Sequence, residues 1–383
     1  MIPYGTQDIS DIEIREVLEV LRSSNLTQGP AVKRFESELA SFVGANYGCA
    51  VNSATSALHS ACLALGVGVG DLVWTSPISF VASSNAALYC GATVDFVDID
   101  ADTFNLCPQK LEDKLKVAAG KNQLPKVVIP VHMGGLPCDM AKIWELSQKY
   151  GFKIVEDASH AVGAEYLSSR VGDCRYSDVT IFSFHPVKII TTGEGGMALT
   201  NSARLAERIW MFSSHGVTRD ESCFSFPSEG GWYYEQQELG YNYRMTDIQA
   251  ALGSAQLRRL EGFLARRREI AARYDEAFDG IPLKTQKASY GAISAWHLYL
   301  VQVPDGTGAQ RQRLFNELRA MGIGVNVHYK PIHTQPYYLD LGFRCGDFPN
   351  SEHYYAKVLS LPIHTSLSSN DQSYIIDKLR GML

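Results

Sequence analysis

Four short segments of this chain hold residue types that could do chemistry together. In Thr180-Ile-Phe-Ser-Phe-His-Pro-Val-Lys188-Ile-Ile-Thr-Thr-Gly-Glu-Gly-Gly-Met197, an apolar strand delivers a single lysine into a polar, glycine-rich loop. A desolvated amine near a cationic or aromatic partner has a depressed pKa and can attack a carbonyl to form a Schiff base. The plain alternative is a solvated charge, since lysine is almost never fully buried. Ser183, five residues earlier, could offer its hydroxyl to a phosphate or face a hydrogen-bonded interior.

Asn52-Ser-Ala-Thr-Ser-Ala57 stands where an apolar run stops and a helical pattern begins. The free N–H groups of such a helix start suit a phosphate dianion, with the Thr55 and Ser56 hydroxyls as further donors. Simple N-capping is the competing reading. Lys153-Ile-Val-Glu-Asp157-Ala-Ser-His160 ends another apolar run on a carboxylate, which either caps a helix or partners a cation such as a protonated ring nitrogen. His160 could approach the same ring or sit satisfied in a core. In Thr75-Ser-Pro-Ile-Ser-Phe80-Val-Ala-Ser83, Phe80 could stack on a flat heteroaromatic ring or belong to the core.

The elements that must position these residues alternate along the first half of the chain. Strand patterns fall at 49–51, 72–75, 94–97, 127–131, 153–156, 179–184 and 197–200, with helix-length patterns at 54–65, 81–89, 108–117, 138–150 and 203–212. Near-continuously apolar strands between helices predict an α/β fold, a mostly parallel sheet of seven strands sandwiched by helices. Ligands of such sheets lie at the carboxyl ends of the strands, where the four segments fall. Residues 246–278 read as one long helix, followed by a β-like run at 296–303, a helix at 310–321, a strand at 325–329 and a closing helix at 370–379. The expected division is a large domain over 1–245 and a smaller α+β domain over 246–383. Residues 216–239 read as a loop. Arg266, Arg267 and Arg268 interleave with acidic residues and predict a salt-bridged solvent face.

A chain of 383 residues with 45% hydrophobic and 20% charged residues has ample material for two cores. The net charge of -6 argues against nucleic acid as a partner. The opening Met1-Ile-Pro-Tyr-Gly-Thr-Gln-Asp8 lacks the basic and apolar regions of a signal peptide, and no apolar run reaches membrane-spanning length. Eight cysteines without a C-x-x-C pair fit a reducing cytoplasm, with no disulfide framework or metal site expected. A nicotinamide fold would need G-x-G-x-x-G after an early strand, whereas the Gly66–Gly70 run precedes one.

Phosphate cradle, stacking aromatic, strand-end aspartate and loop lysine, in that order, form the layout of a pyridoxal-phosphate site. The segments NSATSAL, SPISFVAS, EDASHAVGAEY, FSFHPVKIITTGEGG and GYNYRMTDIQAAL resemble the DegT/DnrJ/EryC1/StrS family of sugar-nucleotide aminotransferases over essentially the whole chain. That resemblance implies aminotransferase fold type I and pyridoxal phosphate as cofactor. It assigns the cofactor lysine to Lys188, the ring-nitrogen carboxylate to Asp157 and the stacking aromatic to Phe80. Ala54, Thr55 and Ser183 fall on phosphate-binding positions, and His160 lies beside the ring. Asn242 matches an asparagine that reaches the cofactor of a second subunit, which implies a homodimer with shared sites. Within the family the chain is similar to the pseudaminic-acid-pathway branch, which aminates a UDP-linked 4-keto-6-deoxy-N-acetylhexosamine with glutamate as the usual donor. Sugar-nucleotide contacts there correspond to Tyr4, to Ser24, Asn25, Leu26 and Thr27, and to His328, Tyr329, Lys330 and Pro331. Deoxygenases on the same scaffold carry histidine where this chain has Lys188.

Overall fold

The computed structural model describes residues 1–304 and 306–383. Seven apolar segments pair into one sheet: β1 (Tyr47–Val51), β2 (Leu72–Thr75), β3 (Thr93–Phe96), β4 (Val127–Ile129), β5 (Lys153–Asp157), β6 (Val179–Ser183) and β7 (Gly196–Thr200). Their spatial order is β1-β7-β6-β5-β4-β2-β3. Only β7 runs against its neighbours; the remaining pairings are parallel. The mostly parallel α/β sheet expected from the sequence is the one observed.

Helices cover both faces, as strands apolar on both sides require. They are α1 (Asp11–Leu21), α2 (Pro30–Val43), α3 (Ala54–Ala64), α4 (Ala82–Tyr89), α5 (Pro108–Gly120), α6 (Met140–Tyr150), α7 (Ala203–Ser213) and α8 (Asp247–Phe278). Val127, Ile129, Val155, Val179 and Ile181 point to α3, α4 and α7. The alternate residues Val128 and Ile154 point to α5 and α6, and Phe182 to α2 and α8. Beyond the sheet, β8 (Lys284–Thr285), β9 (Tyr299–Gln302) and β10 (Val358–Leu361) form a small antiparallel sheet. Its core holds Ile270, Tyr274 and Phe278 of α8 with Leu314, Leu318, Ile375 and Leu379. The first residues join this part: Ile2 bridges Ile323, and the Ile363 N–H donates to the Tyr4 carbonyl.

Four expectations need correction. Residues 325–329 form no strand; Asn326 makes an isolated bridge to Ser360, the Val325 N–H turns back on the Ile323 carbonyl, and His328 and Tyr329 line the cavity described below. The strand beside β9 is instead β10, which the sequence reading left unassigned. Residues 216–239 carry a short ladder, Val217–Thr218 against Glu235–Gln236, rather than a bare loop. Arg267 is not on a solvent face: it is 2% exposed and donates to the carbonyls of Trp296, His297 and Ile363. Finally, α1 and α2 occupy a stretch given no element. Each has a clear start and stop: a Ser10–Glu13 capping box opens α1, while Pro30 begins α2 and Gly44 ends it in the left-handed region.

One buried carboxylate joins two of these helices. Asp247, in the first turn of α8, accepts from the N–H groups of Gly29 (2.7 Å) and Ala31 (2.8 Å) at the start of α2. Both helix starts present positive dipole ends to the same charge. Asp247→Ala would leave those donors unmatched and is expected to cost about 3 kcal/mol, hydrogen bonds to charged groups being the strong ones. A urea titration would read this as a lower midpoint at unchanged slope; an unmoved midpoint would show that water replaces the carboxylate.

Candidate active site

Because β1, β2, β5 and β6 run the same way, their carboxyl ends open on one edge of the sheet, next to the start of β7. A cavity of about 870 Å³ lies there. It is lined by Ala54, Thr55, Phe80, Asp157, His160, Ser183 and Lys188, brought together from segments up to 134 residues apart. That size is ordinary for a cofactor or substrate pocket.

The phosphate-type end is built by the turn from β1 into α3. Ser53 caps the helix by accepting from the Ser56 N–H (3.1 Å), and the Ser56 hydroxyl is spent on Asn52 (2.6 Å). The N–H groups of Ala54 and Thr55, in the first turn, have no acceptor within the helix. A side chain at Gly196 would lie 2.5 Å from the Ala54 nitrogen, so glycine is what lets β7 approach the helix start. Thr55 and Ser183 add hydroxyls on the cavity wall. This arrangement fits a phosphate.

Asp157 closes β5 and is 5% exposed. Its Oδ2 accepts from the Ser83 hydroxyl (2.6 Å) and its Oδ1 from the Ser159 N–H (3.1 Å). Since Ser83 gives its proton to the carboxylate, Ser79, 2.6 Å away, must donate to Ser83. The carboxylate keeps lone pairs for a cationic N–H. Phe80 is 60% exposed, unusual for an aromatic residue in a cavity wall, and so offers its ring to an occupant. Phosphate cradle, carboxylate, free aromatic face and amine together fit pyridoxal phosphate.

Burial lowers the Lys188 amine to about 8, against the pull of the Asp157 carboxylate, which raises it. The loop that carries it is pinned on both sides. Phe184 exchanges backbone hydrogen bonds with Gly195 and Thr192, and its carbonyl also accepts from the Thr191 hydroxyl (2.9 Å). His160 Nδ1 accepts from the Gly134 N–H (3.3 Å), so its Nε2 donates to the Tyr329 hydroxyl (3.1 Å). Burial first, and then the charge of Lys188, drives His160 far below its ordinary value and His328 down to about 3. Both rings are neutral beside the amine.

Of the residues implied for the sugar nucleotide, Tyr4, His328 and Tyr329 line the cavity. Ser24, Asn25, Leu26 and Thr27 form an exposed turn outside it, tied to α8 by the Thr27–Thr246 bridge. Lys330 is exposed and Pro331 buried, and neither lines it. Asn242 is exposed and outside its own chain's cavity, with Asn52 donating to its carbonyl (3.4 Å). Residues the sequence reading missed include Ser79, Ser159, Glu194, Gln249 and His297. The Ser79 position had a signal, a polar residue just past an apolar strand; His297 had only a histidine among apolar neighbours.

The profile of the DegT/DnrJ/EryC1/StrS aminotransferase family matches residues 7–380. The spore coat polysaccharide biosynthesis protein SpsC of Bacillus subtilis is 42% identical over 386 aligned positions, covering 100% of this chain and 97% of that protein. The UDP-4-amino-4,6-dideoxy-N-acetyl-β-L-altrosamine transaminase of Campylobacter jejuni is 37% identical, covering 100% and 98%. Among solved structures, the candidate sugar aminotransferase Spr1654 of Streptococcus pneumoniae, in its PLP form, superposes with a TM-score of 0.89 at 32% identity, covering 100% and 98%. A match from residue 7 to residue 380 takes in the seven-stranded sheet, the small antiparallel sheet and every cavity-lining residue but Tyr4, and the chain belongs to the DegT/DnrJ/EryC1/StrS aminotransferase family.

Proposed function

We propose that this aminotransferase moves an amino group, from L-glutamate, to C4 of a nucleotide-linked 4-keto-6-deoxy sugar. The substrate we infer is UDP-4-keto-6-deoxy-N-acetyl-L-altrosamine, in pseudaminic acid biosynthesis in the cytoplasm. The observation that carries the chemistry is one cavity holding a lysine amine lowered to about 8 with a buried aspartate and a helix start. The 37% identity to the Campylobacter jejuni transaminase supports the sugar. The 42% identity to SpsC favours a second reading, another UDP- or dTDP-linked 4-keto-6-deoxyhexose.

Pyridoxal phosphate, when bound, supplies an aldehyde for the migrating amine and a ring that withdraws electrons from the adjacent carbon. The Ala54 and Thr55 N–H groups, with the hydroxyls of Thr55 and Ser183, would hold its phosphate. Asp157 would keep a proton on its ring nitrogen, and Phe80 would cover a face of the ring. Lys188 Nζ would take a proton from the donor α-carbon and deliver it to the carbon that had been the cofactor's aldehyde carbon, general acid–base work suited to an amine poised near neutrality. The same roles in reverse serve C4 of the sugar. Asn242, exposed and outside its own chain's cavity, would complete the site of a second subunit in a homodimer.

Several outcomes test this reading. The purified protein should carry a visible cofactor band, bleached by glutamate and restored by a 4-keto sugar nucleotide. A panel of UDP- and dTDP-linked sugars ranks the substrates. Lys188→Ala should lower turnover by about 10³-fold or more, the scale of a lost acid–base group, and a colourless protein or a fully active variant would sink the assignment. For pH, the depressed lysine is neutral above about 8, so capture of added pyridoxal phosphate by the apoprotein should rise with pH and level off there. A rate still climbing toward about 10.4 would mark a solvated lysine. Asn242→Ala should loosen cofactor retention without changing the secondary structure; a fully active monomer by light scattering would exclude the shared site.

A further inference from the structure

Three buried histidines line the cavity, His160, His297 and His328, and of these His297 is the one whose ring makes no hydrogen bond among the described residues. It is 4% exposed and lines the cavity, its ring centroid 4.4 Å from that of His160. Buried polar side chains normally find partners. His328 bonds Ser360 and His160 bonds Tyr329, yet neither ring nitrogen of His297 has a partner among the described residues. Nδ1 is shut off from solvent, so Nε2 is the polar atom the ring offers to the cavity.

The backbone around it is held with unusual firmness. The N–H groups of Ala295 and Leu298 donate to the carbonyls of Gly135 and Gly134 (3.0 and 3.1 Å). Trp296 sits at φ 52°, a strained region for a bulky aromatic residue. Arg267 caps the carbonyls on both sides of the Trp296–His297 peptide bond, and such strain persists only where surroundings over-determine it and gathers at working sites. Burial and the nearby His160 and Lys188 keep the ring neutral. The groups facing it from every packed element are therefore His160, Lys188, Arg267 and His328. A neutral imidazole suits a neutral oxygen, since an anion would call for a cation, and among the described residues Lys188 is the only lysine or arginine lining the cavity.

We propose that His297 Nε2 reads a hydroxyl of the hexose in the bound nucleotide sugar and so helps set which sugar is accepted. This rests on the nucleotide-sugar reading above. A site built to hydrogen-bond a substrate hydroxyl discriminates strongly, because its buried group is otherwise left unpaired.

Calorimetric titration of the holoenzyme with UDP and with UDP-N-acetylglucosamine separates the possibilities. His297→Phe should weaken UDP-N-acetylglucosamine by about tenfold or more while leaving UDP within about twofold. His297→Gln, which keeps a donor and an acceptor, should recover part of the loss. Glutamate should bleach the cofactor of both variants at the wild-type rate. The melting temperature of the Phe variant should hold or rise, since an unsatisfied buried nitrogen is removed. Equal binding of UDP-N-acetylglucosamine by wild type and His297→Phe would overturn the inference alone. So would a loss shared with UDP and accompanied by a lower melting temperature, or a slowed glutamate reaction. If the wild type binds neither ligand, the nucleotide-sugar reading falls, and this inference with it.

Discussion

Strand direction is the constraint from which the rest of the molecule follows. With β7 alone reversed, the ends of β1, β2, β5 and β6 all meet one edge, and the start of β7 meets it too. Every loop that carries a chemical group therefore opens on the same side. The reversed strand also brings Gly196 against the start of α3, where any side chain would collide with the backbone of Ser53 and Ala54. Packing on both faces holds the edge rigid, since β4, β5 and β6 send alternate residues into separate cores.

The electrostatics of the cavity depend on how few charges it holds. Lys188 is the only lysine or arginine among its lining residues, and Asp157 and Glu194 the only carboxylates. His160, His297 and His328 are driven neutral chiefly by burial, with the nearby charges adding to it. A single amine in such surroundings loses hydration without gaining strong partners, and this lowers its proton affinity. The buried neutral histidines, serines and tyrosines can then bind polar ligands without competing for the proton of the Lys188 amine.

Much of this was legible before folding. Lys188 and Asp157 stood out because one follows an apolar strand into a glycine-rich loop and the other ends an apolar run, and the seven strands were themselves near-continuous apolar runs. What escaped reading is decided by distant partners. The outer side of α1 leaves Ile12, Ile14, Leu18 and Leu21 substantially exposed, which blurs the amphipathic pattern that would have marked it. Residues 325–329 alternate like a strand yet make only one bridge, at Asn326, whereas 358–361, given no element, pairs along its whole length with β9. Arg267 belongs to a triplet of like charges, but its burial depends on carbonyls 29 to 96 residues away. His297 enters the cavity only because a turn at residues 133–135 packs against its backbone.

The guanidinium of Arg267 sits on a helix of 32 residues, about 48 Å long at 1.5 Å per residue, that threads both cores. Its grip on the carbonyls of Trp296, His297 and Ile363 fastens one wall of the cavity to that shaft. A twist or slide of α8 would therefore reach the His297 wall of the cavity without passing through the sheet. Substrate choice in such a molecule can drift through changes along the helix that never meet the ligand.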